Sequence, residues 1–290
     1  MKIDVKAIKA LREMTGAGMM DCKKALEANN GDIEKAKDWL REKGIATAAK
    51  KSTRIAAEGR TEVVFSKDGS KAIIVEVNAE TDFVSIGEPF KQLVNEVANL
   101  LLENNSESLE AAEELTKELF IDATIKMGEK ITLRRFEIIE LEDGEAFGTY
   151  SHMDGKISVL LVLNKDAGDT NKSLAMHIAA NNPTYINTSD ISEVEREKEF
   201  NIQVEAAKND ESLADKPENI MKNIVNGRVK KYFSESTLAE QTYLLDDSKT
   251  VGAFLKGEGL ELRKFVRYGV GEGIEKRQDD FAAEVAEAIK

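Results

Sequence analysis

Hydrophobic side chains recur every three or four positions through the first 44 residues, a spacing that predicts short amphipathic helices. Turn residues divide this stretch into three segments at Gly16, Gly18 and the Asn29-Asn30-Gly31 sequence. Asp4 can cap the first helix and Asp32 the third, whereas Gly44 is predicted to end the third helix. The pattern therefore predicts a three-helix module, followed by a basic segment, either linker or helix, that leads to the next part of the chain.

From about residue 60 the hydrophobic period changes to the alternation that is typical of strands. Two strands joined by a turn at Lys67–Ser70 form a predicted β-hairpin. Helical spacing resumes at Pro89 and continues through a second helix to about Met127, and a further strand is predicted at Ile131–Leu141. This order of elements predicts the first half of a core that contains both helices and strands.

The same order of elements returns after residue 146, which indicates a weak internal repeat. The turn Asp154-Gly155 aligns with Asp68-Gly69, and the strand after each turn ends in an asparagine, at Asn164 and Asn78. A helix across Leu174–Ala180 follows the second hairpin. We therefore predict that two related halves form one core.

The second half carries a predicted insertion, an antiparallel helical hairpin over residues 189–233. Its first helix is predicted to begin at the cap Ser189-Asp190, and its second helix covers Glu218–Phe233. The elements predicted after it are a strand at Thr242–Leu245, a helix capped at Ser248, a strand at Leu260–Val270 and a helix at Phe281–Ile289.

The predicted fold class is α+β, organised in three parts. Residues 1–55 form the three-helix N-terminal module and linker, residues 56–142 the first core subdomain, and residues 143–290 the second core subdomain with the hairpin. A chain of 290 residues is long enough for about two domains of ordinary size, so this organisation is compatible with its length.

Composition narrows the possible functions. The chain has 54 acidic and 41 basic side chains, and the resulting net charge of −13 disfavours binding to the phosphates of nucleic acids. Apolar runs stay shorter than the ~18–20 residues that a membrane span requires. A single cysteine excludes an internal disulfide. We therefore expect a cytoplasmic protein that binds neither nucleic acid directly nor membranes.

Catalytic chemistry is not indicated. Two histidines, His152 and His177, and one cysteine are too few for a typical Cys/His metal cluster. Cys22 falls on the apolar face of the second helix, which favours a buried structural thiol over a nucleophile. The sequence lacks the G-x-x-x-x-G-K-[ST] pattern of a phosphate-binding loop. We therefore expect no enzyme activity, no metal and no cofactor.

Two apolar side chains lie outside the amphipathic pattern. Met20 falls on the face of the second helix opposite the stripe formed by Met19, Cys22, Ala25 and Leu26. Because methionine adapts to varied surfaces and Lys23 lies beside it, we interpret Met20 as a contact for an acidic partner. Phe83 lies in the short link after the most apolar strand, and links of this kind are usually exposed. Residue type alone, however, favours a core position for a phenylalanine.

Two longer runs carry a resemblance to a known family. Residues 11–26 (LREMTGAGMMDCKKAL) and residues 76–84 (EVNAETDFV) resemble the two signature sequences of the bacterial elongation factor Ts family. Residues 248–252 (SKTVG) and the order of elements fit the same family, so the resemblance extends over essentially the whole chain. Ala79 and Ile86 depart from the second signature.

The resemblance implies a guanine-nucleotide exchange factor for elongation factor Tu that has no catalytic chemistry or cofactor of its own. In this family the N-terminal module, which is similar to ubiquitin-associated domains, docks on the partner's nucleotide domain, and the hairpin is a coiled-coil or dimerisation element. The second signature inserts beside the partner's Mg²⁺ site, and this role carries over to Thr81, Asp82, Phe83 and Val84. The residues expected to dock are Arg12, Met19, Met20, Lys23 and His177, the last with either a structural or a contact role.

Two other functions stay open at the level of the sequence. The N-terminal module is also typical of an adaptor that binds peptides or ubiquitin-like folds without affecting nucleotide release. An RNA-associated translation protein would use the basic residues Lys50, Lys51 and Arg54, but the net charge of −13 and the lack of nearby stacking aromatics disfavour it.

Overall fold

The computed structural model describes residues 3–213 and 216–275 and has the predicted α+β architecture. The chain divides into two compact units. Among the described residues, the first unit contains those up to Glu140, the segment Ser151–Ser158 and those from Tyr268 to residue 275, and the second contains Leu141–Tyr150 and the described part of Val159–Arg267. No helix within the described ranges is long and apolar enough to cross a bilayer.

Three helices form the N-terminal part of the first unit: α1 (Val5–Thr15), α2 (Met19–Ala28) and α3 (Ile33–Lys51). The predicted caps are confirmed, because the Asp4 and Asp32 carboxylates accept hydrogen bonds from the first-turn amides of Lys6 and Lys35. The helices enclose a small apolar cluster that contains Ile8, Leu11, Ala17, Cys22, Ala25, Leu26, Ala36 and Leu40. Helical spacing in the sequence therefore predicted this part of the fold.

An antiparallel sheet in the order β1-β2-β3 follows, made of β1 (Glu58–Phe65), β2 (Lys71–Ala79) and β3 (Thr132–Glu140). The chain between β2 and β3 forms the helices α4 (Asp82–Ser85), α5 (Glu88–Glu103) and α6 (Leu109–Met127). The main core contains apolar residues of this sheet and of α5 and α6, among them Ile73, Val75, Val77, Phe90, Val94 and Leu101.

The predicted end of the third helix at Gly44 is wrong, because α3 continues to Lys51. Gly44 is buried within α3, where a β-carbon would collide with the side chain of Ile125 on α6. A glycine in a helix also allows the close approach of a neighbouring helix, and here that is its role. An exposed ion pair between Arg41 and Glu118, with a nitrogen–oxygen distance of 2.6 Å, lies along the same contact. The N-terminal helices are thus packed directly against α6.

The second unit contains most of a sheet in the order β4-β5-β8, formed by β4 (Ala146–His152), β5 (Ile157–Leu163) and β8 (Leu262–Gly269). Between β5 and β8 the chain forms α7 (Asp169–Asn181), α8 (Glu193–Lys208), α9 (Glu218–Ser236), β6 (Thr242–Tyr243), β7 (Asp246–Thr250) and α10 (Val251–Glu258). Ala207 of α8, Val225 of α9 and Leu213 of the 3-10 turn between the helices form one buried cluster, as expected for a helical hairpin.

Two predicted helix starts in the second unit are wrong. Ser189-Asp190 lies in a short 3-10 turn, and α8 begins after Ser192, whose hydroxyl accepts from the amide of Glu195 at 3.2 Å while the Glu195 carboxylate accepts from the Ser192 amide. Ser248 belongs to β7, and Thr250 caps α10. In each case several capping residues lie close together in sequence, so local composition does not select one of them. The helix predicted at Phe281–Ile289 lies outside the described residues.

Candidate functional site

The second signature forms a one-turn helix at the end of the buried strand β2. Strand β2 ends at Ala79, and Thr81 is the N-cap of the four-residue helix α4. The Thr81 hydroxyl accepts a hydrogen bond from the amide of Val84 at 3.4 Å. Immediately after α4, Gly87 and Pro89 begin α5, so the turn is held between a central strand and a core helix.

The side chains of this turn point in opposite directions. Val84 is half-buried and packs against the main core, whereas Asp82 is exposed and Phe83 has 82% of its surface accessible to solvent. The interpretation of Phe83 as a core residue is therefore wrong, because Val84 occupies the core-facing position of the short helix. Burial of so exposed a phenylalanine against a partner's surface is favourable, because it removes a large apolar area from water.

A residue distant in sequence also belongs to this turn. Glu129, in the link between α6 and β3, accepts hydrogen bonds from the amides of Glu80 and Thr81 at 3.1 and 3.0 Å. Sequence reasoning did not identify Glu129, because it lies 48 residues beyond Thr81 and stands in an ordinary polar link.

A second exposed apolar surface lies on the N-terminal helices in the same unit. Arg12, Met19, Met20 and Lys23 are all exposed, with Met20 at 62% and Met19 at 38% accessibility. The placement of Met19 on the buried stripe of α2 is wrong, since the first residue of the helix extends beyond the packed part of that stripe. We call the surface formed by Arg12, Met19, Met20 and Lys23 the N-terminal patch. The patch and Phe83 lie in one compact unit.

The prediction that Cys22 is buried is confirmed. Its side chain is completely buried, and burial raises the pKa of the thiol above its usual range, which keeps it protonated. Among the described residues, no group of histidine, cysteine, aspartate and glutamate side chains is arranged to hold a metal ion.

His177 lies on α7 in the second unit, and its ring is completely buried. Its Nδ1 accepts a hydrogen bond from the amide of Leu244 at 3.1 Å, so the ring proton is on Nε2 and is donated to Gln241 Oε1 at 2.9 Å. The structure thus supports a structural role for His177: it holds the backbone at the start of the β6–β7 turn.

The turn held by His177 exposes two leucines. Leu244 and Leu245 are 49% and 62% accessible and lie next to each other between β6 and β7. Sequence reasoning interpreted residues 242–245 as a strand and did not single out this pair. Two leucines followed directly by Asp246 and Asp247 were the available signal, because such a pair is unusual in a turn.

The buried imidazole predicts a pH dependence of stability. Burial lowers the pKa of His177 in the folded protein, an effect that the hydrogen bond with Gln241 opposes only in part. The folded state therefore binds fewer protons than the unfolded chain near the ordinary histidine pKa of about 6.5, and the free energy of unfolding should fall as the pH falls through that value. The contribution is at most about 1.4 kcal/mol between pH 7.5 and 5.5.

Urea titrations followed by circular dichroism at the two pH values measure this effect. His177→Gln should reduce the pH dependence, and the same change at the exposed His152 is the matched control. Equal pH dependence in the wild type and in His177→Gln would contradict the assignment of this effect to His177.

Comparisons with known proteins agree on one family and together cover nearly the whole chain. A family model described as "Elongation factor TS" matches residues 80–272, and a model described as "Elongation factor Ts, mitochondrial, N-terminal" matches residues 1–48. A curated relative, elongation factor Ts of Acholeplasma laidlawii (strain PG-8A), is 47% identical over 292 residues, with 98% of each chain covered.

Proposed function

Because this chain belongs to the elongation factor Ts family, it is a translation elongation factor, and we propose that it acts by binding elongation factor Tu-GDP and promoting GDP release. The observation that carries the proposal is the projection of Phe83, 82% accessible, from a short helix that is anchored to the core by Val84. An exposed aromatic side chain on a supported turn is suited to insertion between elements of a partner.

The proposed mechanism requires no catalytic group in this chain. Tight GDP binding depends on Mg²⁺, whose ligands are held in nearly octahedral geometry around the phosphates. Insertion of Phe83 between helices of the partner would disturb that geometry, and Asp82 would accept hydrogen bonds from groups displaced by the insertion. Once the metal is held less strongly, GDP dissociates faster and GTP can bind in its place.

The same mechanism requires that binding of the factor and of the nucleotide oppose each other. By thermodynamic linkage, the factor lowers the affinity of the partner for GDP by the same ratio as GDP lowers the affinity for the factor. This chain therefore acts as an exchange factor rather than as an enzyme, and rebinding of a nucleotide releases it.

Two surfaces would provide the affinity. The N-terminal patch combines adaptable methionines with the basic side chains of Arg12 and Lys23, which suits an acidic surface of the nucleotide domain of elongation factor Tu. In the second unit, the exposed pair Leu244 and Leu245 offers an apolar contact for another domain of the partner. His177 would then contribute indirectly, by fixing the backbone that presents Leu244.

The direct test is stopped-flow release of a fluorescent GDP from elongation factor Tu. Release should accelerate with rising concentration of this protein and reach a plateau, since exchange proceeds through a complex. A folded sample that leaves the release rate unchanged would contradict the proposal, and it would favour a protein-binding adaptor that uses the N-terminal module.

For homodimer formation, we propose the helical hairpin as the contact. Its inner apolar residues pack between α8 and α9, but Val194 and Ile202 on α8 stay 75% and 50% accessible. If they meet a second copy, sedimentation velocity should show a concentration-dependent dimer that Val194→Ser with Ile202→Ser abolishes. A monomer at all concentrations would contradict this contact.

A further inference from the structure

The short helix that presents Phe83 is too small to determine its own orientation. Helix α4 has four residues, and a helical turn of this length is unfavourable by itself because nucleation fixes several backbone dihedrals for one hydrogen bond. Its N-cap hydrogen bond, from the amide of Val84 to the Thr81 hydroxyl, is long at 3.4 Å. Groups outside the helix must therefore hold it in place.

The two carboxylate oxygens of Glu129 accept three hydrogen bonds from the base of this helix. Its Oε2 accepts from the amides of Glu80 and Thr81, and its Oε1 accepts from the Thr81 hydroxyl at 2.5 Å. Because the Thr81 hydroxyl donates its proton to Glu129, its lone pairs are left to accept from the amide of Val84. The carboxylate thus orients the group that caps α4.

The contact is reciprocal, because the carboxylate of Glu80, which follows β2, accepts from the backbone amide of the residue after Glu129. Glu80 Oε1 accepts from the amide of Lys130 at 2.6 Å, and Glu80 also pairs with Arg54 at 3.1 Å. The ammonium of Lys130 donates to the carbonyl oxygens of Ser52 and Arg54 at 2.7 and 2.9 Å. The end of β2, the link before β3 and the segment after α3 are therefore joined at one point.

We propose that Glu129 is the positioning residue for Phe83: its carboxylate holds Glu80 and Thr81 so that α4 projects the phenylalanine in one direction. This inference rests on the proposed exchange function. Hydrogen bonds from backbone amides to an ionised carboxylate are stronger than those between neutral groups, and Glu129 is half-buried, so water replaces them only in part. Without them, α4 would sample several orientations, and fewer encounter complexes would place Phe83 correctly.

A positioning role predicts a specific kinetic pattern. Glu129→Ala should lower the limiting rate of GDP release at saturating factor about tenfold, which corresponds to about 1.4 kcal/mol. The half-saturating concentration should change less than about twofold, because the N-terminal patch is intact. Glu129→Gln keeps one acceptor oxygen and should lower the limiting rate only about threefold. Met20→Ala, within the patch, should instead raise the half-saturating concentration.

The experiment measures release of fluorescent GDP over a series of factor concentrations, together with amide hydrogen exchange of the free proteins. Glu114→Gln is the matched control, because Glu114 is an exposed residue of α6 whose ion-pair partner is Lys117 in the same helix. We expect faster hydrogen exchange for residues 80–86 in the Glu129 variants and unchanged protection in the core residues 73–77.

The outcomes separate this inference from the exchange function itself. If the wild type accelerates release and Glu129→Ala equals Glu114→Gln in limiting rate, the positioning role is overturned while the exchange function stands. If the wild type does not accelerate GDP release, the proposed nucleotide-exchange function fails. The positioning role of Glu129 is then tested by amide hydrogen exchange alone. Unchanged exchange of residues 80–86 in Glu129→Ala would then overturn its positioning role, and loss of core protection in Glu129→Ala would assign Glu129 a general structural role instead.

Discussion

Replacing Phe83 by alanine is expected to slow factor-stimulated GDP release about 30-fold at saturating factor. Burying a phenylalanine side chain is worth about 2–3 kcal/mol, and an aromatic residue at the centre of an interface commonly contributes this much. Because the proposed insertion is completed only as GDP leaves the complex, its energy stabilises the transition state of release, and the loss should affect the limiting rate more than the half-saturating concentration. Stopped-flow release of fluorescent GDP over a range of factor concentrations measures both quantities.

The fold of the Phe83→Ala protein should be intact. Phe83 is 82% exposed and contributes little to the core, so the free energy of unfolding should change by less than about 0.5 kcal/mol. Phe65→Ala is the matched control, because Phe65 is an exposed phenylalanine at the end of β1 in the same unit. If Phe83→Ala and Phe65→Ala accelerate GDP release equally, Phe83 is not the inserted group.

Replacing Glu76 by alanine is expected to destabilise the first unit by about 3 kcal/mol or more. Glu76 is completely buried in the middle of β2, and its two oxygens accept from Arg134 at 2.9 Å and from Arg135 at 2.6 Å. It also accepts from the amide of Gly271 at 2.9 Å. Removing Glu76 leaves the arginine charges at this buried site without a counter-charge, and an unpaired buried charge strongly destabilises the folded state.

Urea unfolding followed by the fluorescence of Trp39, the one tryptophan, reports on this unit. The matched control is Glu140→Ala on β3, because Glu140 is 65% exposed and its ion pair with Lys71 spans the same two strands. The control should change the free energy of unfolding by less than about 1 kcal/mol. Equal destabilisation by the two substitutions would show that the buried network around Glu76 has no special importance for stability.

Much of the secondary structure could be predicted from local pattern. The spacing of Ile8 and Leu11 and the caps at Asp4 and Asp32 predicted the N-terminal helices correctly, because helix spacing and capping depend on residues within one turn. Alternating apolar residues identified the strands on either side of the turn at 67–70 in the same way. The exposure of Met20 also followed from its angular position on α2.

Only some residues of the candidate site could be predicted from the sequence. The resemblance of residues 76–84 to a family signature pointed to Thr81, Asp82, Phe83 and Val84, but residue type alone favoured a buried Phe83. Its exposure was decided by which side of the short helix packs on the core. No sequence feature identified Glu129, because acidic residues are common in polar links and the amides that donate to it lie on another part of the chain.

By itself, then, the sequence determined the family, the α+β class and most helices and strands, since these depend on residue patterns and on interactions between near neighbours. Only the tertiary structure shows why Gly44 lies inside a helix: a β-carbon there would collide with the side chain of Ile125 on a distant helix. It also decided that Glu76 is buried, because Arg134, Arg135 and a glycine amide 195 residues away supply its donors. Which groups meet over such separations depends on how the whole unit packs, and no local pattern in the chain contains that information.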